Sequence, residues 1–533
     1  MSPSRGALVA GAALTVAAAV TIVVVWPDAS DTGRRGGTAV ASTPSHTSPS
    51  PTRSYPLSTA PRTIPAVREH IPARGPGWQP GPDSSVVIGD GSGALADEGQ
   101  LLAKELKISY RGAVPARSGD VELALGTPGK GAPESYTLRT HDGRVTITGP
   151  DQAGVFYGTR TLKQSLRADG TMPEGEVRDR PDRPQRGLNL DIARKYYSVG
   201  WIEDRLREMA DLKLNQLGLH FSDDQAFRIQ SDTHPEIVSP EHLTKAEVRQ
   251  ILALAGRLHI DVVPEIDSPG HLGAVLRAHP ELQLRNTAGV RSTGSIDISR
   301  PDAAKLIDQL IGEFAELFGG RYWHLGGDEY RALTVQNPAA SYPQLQRAAQ
   351  LKYGSAAGIK DLATGWLNDR AAVVRPHGLQ PKAWNDGFFR DGIVRADKDI
   401  EVEYWTGKEY GARPPEEYLS EGRKVVNLND EFLYYVLGQP NAFVYPTGKR
   451  IYEQWTPLVL RGTQPVPARY SGQILGGRFA VWGDLPQAQT PAQVAAGIRM
   501  PLRATAQKLW DPRKPALSWG QFQALAGAID KTG

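Results

Sequence analysis

Tyr322-Trp323-His324-Leu325-Gly326-Gly327-Asp328-Glu329 is a short, largely apolar run that breaks at two glycines and ends in two adjacent acids. It reads as a β-strand entering a sharp turn, with both acids presented where the strand stops. Seven other apolar runs share this plan and end in polar or aromatic residues: Gly187–Asp191, Gln216–His220, Asp261–Glu265, Pro381–Trp384, Glu401–Trp405, Lys424–Asn427 and Arg478–Trp482. Amphipathic helical stretches separate many of them, clearest at Trp201–Leu212, Lys245–Leu258 and Ala303–Leu317. Eight strands alternating with helices predict an α/β catalytic domain over residues 181–533, a (β/α)8 TIM barrel. The connections flanking Glu401–Trp405 are short, so their helices are expected to be small or irregular.

Upstream the pattern changes. Residues 61–180 carry β-type runs at Ser85–Ile88, Val121–Leu125 and Arg144–Thr148, with helical segments near Gly99–Leu106 and Ala153–Leu166. That predicts a small α+β domain, whose expected role is support of the barrel. Residues 29–60 are mostly Ser, Thr, Pro and Gly, which cannot bury enough surface to fold and read as a disordered linker. Within residues 1–28, Arg5 precedes an apolar stretch from Ala7 to Trp26, close to the ~20 residues that span a bilayer. This is either a signal peptide or an uncleaved N-terminal anchor. The protein is expected to be exported, and either secreted or held at the outer face of the membrane.

The 533 residues include 61 basic and 58 acidic ones, a net charge of +3, and the basic residues are dispersed. Nothing in that pattern points to nucleic acid. The chain has no cysteine, which excludes disulfides, thiolate metal sites and a cysteine nucleophile.

In a barrel of this type the chemistry sits at the C-terminal strand ends. Those ends hold Asp328 and Glu329, then His220 with Asp223 and Asp224, then Glu265, Asp267 and His271, and the tryptophans Trp384, Trp405 and Trp482. Tryptophan faces stack on pyranose rings and carboxylates grip hydroxyls, so the set points to a sugar subsite. One adjacent acid can donate a proton to a leaving oxygen while the other holds a neighbouring group. There is no His-Glu-x-x-His spacing, so neither a metal nor any other cofactor is expected at the site.

Four segments carry a family resemblance: Arg186–Arg194, Leu219–Gln225, Pro264–His271 and His324–Glu329. In that order they resemble the family 20 glycoside hydrolases, the β-N-acetylhexosaminidases, from about Pro61 to the end of the chain. The resemblance implies an exo-acting, retaining enzyme in which the substrate's own 2-acetamido oxygen attacks the anomeric carbon to give an oxazolinium intermediate. It implies Glu329 as general acid and base and Asp328 as the group orienting the acetamido. A tyrosine after strand seven, Tyr434 with Tyr435 as competitor, would bond the acetamido oxygen. Arg194 would hold the 3- and 4-hydroxyls, and Trp384, Trp405 and Trp482 would wall the pocket. Asp484 would contact the 4- and 6-hydroxyls, and Asp223 with His271 would tune the acid. The partner implied is a glycan ending in β-linked N-acetylhexosamine.

Two positions depart from the family pattern. Trp482-Gly483-Asp484 stands where Trp-x-Glu is usual, and Phe432-Leu433-Tyr434-Tyr435-Val436 lacks the usual Tyr-x-Asp. A lacto-N-biosidase, which releases a Gal-β-1,3-GlcNAc disaccharide, is therefore a second reading, with Arg194 favouring the single-sugar pocket. A catalytically silent carbohydrate-binding protein is a third, disfavoured by the intact Asp328-Glu329 pair.

Overall fold

The computed structural model describes residues 54–127, 131–408, 412–438 and 443–531; the apolar N-terminal stretch and residues 29–53 of the expected linker lie outside them. The eight barrel strands are β1 Gln185–Asp191, β2 Gln216–Ser222, β3 Asp261–Ile266, β4 Tyr322–His324, β5 Gln380–Trp384, β6 Glu401–Tyr404, β7 Val425–Asn427 and β8 Ile474–Trp482. Each pairs in parallel with its sequence neighbour, and β8 pairs with both β7 and β1 to close the ring. A ninth strand, Tyr434–Val436, was not expected; it adds in parallel to the C-terminal end of β8, with Tyr434 opposite Ala480 and Val436 opposite Trp482. That pairing fixes which way its two tyrosines face.

The helices α1 Val199–Asp211, α2 Lys245–Arg257 and α3 Pro301–Phe318 follow β1, β2 and the β3 region. Their starts are coded locally. The Ser198 side chain caps α1, Thr244 and Glu247 form a reciprocal capping box on α2, and Pro301 opens α3 where no amide donor is needed. The buried stripe of α3, including Leu306, Leu310 and Phe314, lies at the expected three- and four-residue spacing. Around β6 the described connections hold only a 3-10 turn, Asn385–Gly387, and a six-residue helix, Pro415–Ser420.

Inward-facing residues of the barrel are not all apolar. Arg478 and Lys382 reach Glu403, and Lys382 also reaches Glu401 at 2.6 Å, with His324 3.6 Å from Glu403. Glu403, Lys382 and Arg478 are essentially inaccessible. Such charges persist in an interior only when paired, and this column of ion pairs underlies the candidate site.

The small domain is a seven-stranded mixed sheet in the spatial order Glu69–Pro72, Gly175–Asp179, Tyr136–His141, Arg144–Gly149, Val121–Leu125, Ser85–Ile88, Ser109–Gly112. Its long helix, Gln152–Asp169, packs on that sheet on one side and on the C-terminal helix Trp519–Lys531 on another. Buried polar bonds join it to the barrel. Lys213 donates to Tyr136 and Thr161, each at 2.8 Å, and to Asp179 at 3.2 Å. Trp510 donates its indole N–H to the other Asp179 oxygen at 2.9 Å.

Candidate active site

The turn after β4 bends over the end of β3. Gly326 and Gly327 both have positive φ, 71° and 101°, and a Cβ at 326 would overlap the Asp267 carboxyl. Only glycine fits this approach. The Gly327 amide donates to Asp267 Oδ1 at 2.9 Å, which ties the two strand ends together. Glu329 also sits in the left-handed region, φ 48°, with its amide held by Asp386 Oδ2 at 3.0 Å.

This geometry gives the two adjacent acids different surroundings. The Asp328 side chain is 14% exposed and that of Glu329 53%. His271 Nε2 lies 3.5 Å from an oxygen of each, and its Nδ1 lies 3.4 Å from Asp223. Burial works against the His271 imidazolium, but Asp328, Asp223 and Asp267 outweigh it and hold His271 well above its ordinary value. The hydrogen bond from His271 holds Glu329 below the usual carboxylate range, against its partial burial. Asp267 moves the opposite way. Complete burial, then the charge of Asp328, push it well up.

A chain of buried bonds runs beneath this trio. His220 joins Asp223 at 2.7 Å and Glu265 at 3.1 Å, and these carboxylates push it up to about 10 despite burial. Burial would raise Glu265 and Asp223, yet their histidine neighbours, joined for Asp223 by Arg194, hold both well below the ordinary value. Glu265 also accepts the Trp384 indole N–H at 2.7 Å, which sets the plane of that ring.

The aromatic groups meet on the same face. Tyr434 stacks on Trp405 at 5.6 Å with 9° between the rings, and lies 5.8 Å from Trp482, which is 5.9 Å from Trp384. Trp405 donates its indole N–H to Asp386 at 3.0 Å. Tyr435 turns away, bonded to Gln489 at 3.0 Å and stacked on Tyr445 at 4.3 Å. Of the two tyrosines, Tyr434 joins the cluster. Arg194 binds Asp191 at 3.1 Å and Asp223 at 2.7 Å, with its guanidinium 5.5 Å over the Trp482 ring. Asp484 is exposed nearby; burial of its surroundings raises it and Arg194 lowers it.

Two family models match this chain: the glycosyl hydrolase family 20 catalytic domain over residues 184–513, and domain 2 of the same family over residues 60–180. The chain belongs to glycosyl hydrolase family 20. It is 32% identical to a lacto-N-biosidase of Bifidobacterium bifidum over 486 residues, 89% of this chain and 42% of that protein. It is 33% identical to a β-hexosaminidase of Porphyromonas gingivalis over 312 residues, 52% of this chain and 38% of that one. The chain thus spans less than half the length of either relative. Its fold is similar to those of Flavobacterium johnsoniae chitobiase (TM-score 0.71, 23% identity, 88% of this chain and 72% of that one) and Streptomyces plicatus β-hexosaminidase (TM-score 0.69, 23% identity, 90% and 95%).

In this family 20 chain the structure brings together Asp328, Glu329, His271, Asp223, Arg194, Tyr434, Trp384, Trp405 and Trp482, with Asp484 beside Arg194. Sequence reasoning counted Asp267, Glu265 and His220 among the strand-end residues of a sugar subsite without giving any of them an individual role, and did not single out Asp386. A signal existed for two of them: Glu265 and Asp267 are two apart at a strand end and so share a face. Asp386 had none, since its partners are the Glu329 amide and the Trp405 indole. Asp224 lies outside the cluster and binds the Gly273 amide at 2.9 Å. Asp267, His271 and Asp328 offer ligand-type atoms within 4.8 Å of one another.

Proposed function

We propose that the chain is an exo-acting, retaining glycosidase that releases terminal β-linked N-acetylhexosamine by substrate-assisted catalysis. One observation carries the reading. Asp328 and Glu329 are neighbours that share one imidazole nitrogen, so both acids approach the sugar from one side. The two-carboxylate route needs acids flanking the scissile bond. In the substrate-assisted exception to that route, the nucleophile is the acetamido oxygen of the sugar itself.

Half-exposed Glu329 protonates the departing oxygen. Asp328, held by Asp267 and His271, accepts the acetamido N–H and aims its oxygen at the anomeric carbon. Tyr434 donates to that oxygen, and the three tryptophans exclude water while the oxazolinium forms. Water then enters on the vacated side, and Glu329 takes its proton, restoring the enzyme and leaving the anomeric configuration retained. Arg194 binds the 3- and 4-hydroxyls and Asp484 the 4- and 6-hydroxyls. The N-terminal segment exports the chain to act on glycans outside the cell.

A second reading, release of the disaccharide Gal-β-1,3-GlcNAc, is favoured by the similarity to a lacto-N-biosidase over 89% of this chain. Asp484, one methylene shorter than glutamate, leaves added space beside Arg194. Arg194 is already paired to Asp191 and Asp223, so it needs no sugar hydroxyl to balance its charge.

The deciding experiment compares chromophore release from a β-N-acetylglucosaminide and a β-lacto-N-bioside. Turnover of the first supports the single-sugar pocket. Turnover of the second alone makes the enzyme disaccharide-releasing. Turnover of neither, with glycan binding unchanged in Glu329→Gln, identifies a silent binder.

A further inference from the structure

His234, Glu236 and His279 form a cluster outside the candidate active site. His234 immediately precedes the 3-10 turn Pro235–Ile237 in the connection after β2. His279 follows the short helix Gly273–Ala278 in the connection after β3. Glu236 Oε1 is 2.9 Å from His234 Nδ1 and 3.0 Å from His279 Nε2, and the two rings stand at 83° to each other. The three ligand-type atoms lie within 4.8 Å of one another.

The other ring nitrogens decide what the cluster can hold. His234 Nε2 lies 3.1 Å from Gln309 Oε1, and His279 Nδ1 lies 3.3 Å from Glu281 Oε1. Both partners are acceptors, so each ring is anchored through the nitrogen that faces away from Glu236. That leaves His234 Nδ1 and His279 Nε2 facing the same Glu236 oxygen. Two imidazole nitrogens and one carboxylate oxygen thus converge on one point. Metal-bound histidines are characteristically anchored through the other nitrogen in this way.

We propose that His234, Glu236 and His279 bind a zinc ion that staples the connections after β2 and β3. The donor set is two imidazoles and one carboxylate, which suits zinc and not calcium, whose ligands are all oxygens. Zinc bonds of about 2.0–2.1 Å place tetrahedral ligands about 3.3 Å apart, so the two nitrogen–oxygen spacings of 2.9 and 3.0 Å would open by only a few tenths of an ångström. Glu236 is exposed and both histidines are half-buried, which leaves a water-accessible fourth position. The stapled connections are those that carry Asp223 and His271, so the ion would stiffen the support of Asp328 and Glu329 without touching them.

The test uses the full chain, stripped with EDTA and titrated with zinc chloride at pH 7.5. The expected result is one zinc per chain with a Kd of about 1 µM, and a Tm raised by about 3 °C at 100 µM zinc. His279→Ala should weaken binding at least about tenfold while leaving the metal-free Tm near that of the parent. If that variant folds poorly, Glu236→Gln on the exposed rim should lose affinity by a similar factor. Stoichiometric binding absent below about 1 mM would overturn the proposal and leave an ordinary pair of imidazolium–carboxylate bridges. Undiminished affinity in both variants would overturn it as well, by placing the zinc elsewhere.

Discussion

His271 touches three carboxylates, and its charge governs the acid that faces the substrate. Its hydrogen bond and positive charge lower Glu329. A general acid works only while protonated, so the alkaline limb of kcat/KM follows the loss of the Glu329 proton. Removing the imidazolium raises Glu329, and the limb of His271→Gln should therefore move to higher pH, by about 1 unit, as kcat falls. A pH–rate profile checks this, and a limb that stayed in place would separate His271 from the acid. For Tyr434→Phe, loss of one donor to the developing charge should cost about 10²–10³ in kcat with little change in KM. Tyr435→Phe should be nearly silent, because that hydroxyl bonds Gln489. At this scale the sequence was legible wherever chemistry follows from adjacency, as in Asp328-Glu329. It was not legible for Asp267, whose upward shift depends on complete burial beside Asp328, a fact of three-dimensional packing.

Strands and turns were easier to read than the side chains they carry. The strand at Glu401 and the helix at Lys245 begin where the sequence places them, because period-two apolar runs and the Thr244–Glu247 capping box are local signals. The strand at Tyr434 escaped, since Phe432–Val436 is a continuous apolar and aromatic run without alternation, and only its pairing with β8 defines it. The paired charges inside the barrel escaped for a related reason: Lys382, Glu403 and Arg478 look solvated until three separate strands meet. The turn after β4 gives a test at this scale. Gly326→Ala would force a Cβ into the Asp267 carboxyl at a φ that L-residues avoid. The turn would have to shift, and both acids with it. We expect kcat/KM to fall by at least about 10²-fold, given the sensitivity of catalysis to displacements near 1 Å, in protein that remains folded by circular dichroism. Gly320→Ala, at a glycine on the same strand's approach with no positive φ and looser surroundings, should keep most activity.

Across the whole molecule, the small domain and the barrel share a buried electrostatic centre. Asp179 and Lys213 both have fully inaccessible side chains, and Asp179 also takes the indole N–H of Trp510. A barrel beginning after Asp179 would expose Lys213 and Arg186 and lose the Glu134 carboxylate that pairs with Arg186 at 2.8 Å. The two domains should therefore unfold in one calorimetric transition. Asp179→Ala isolates the effect in the intact chain. It strands the Lys213 ammonium among Tyr136, Thr161 and Trp510, a loss that costs about 3–5 kcal/mol when one partner of a buried pair is removed. Burial already lowers Lys213, and Asp179 is the group that raises it; without that carboxylate its folded pKa drops further below the unfolded value. The unfolded chain then binds more protons than the folded one over a wider range, so the variant gains stability as pH rises. The Tm deficit of Asp179→Ala should be largest near neutrality and shrink toward pH 10. A deficit independent of pH would mean that lost packing against Trp510, and not the stranded charge, sets the cost.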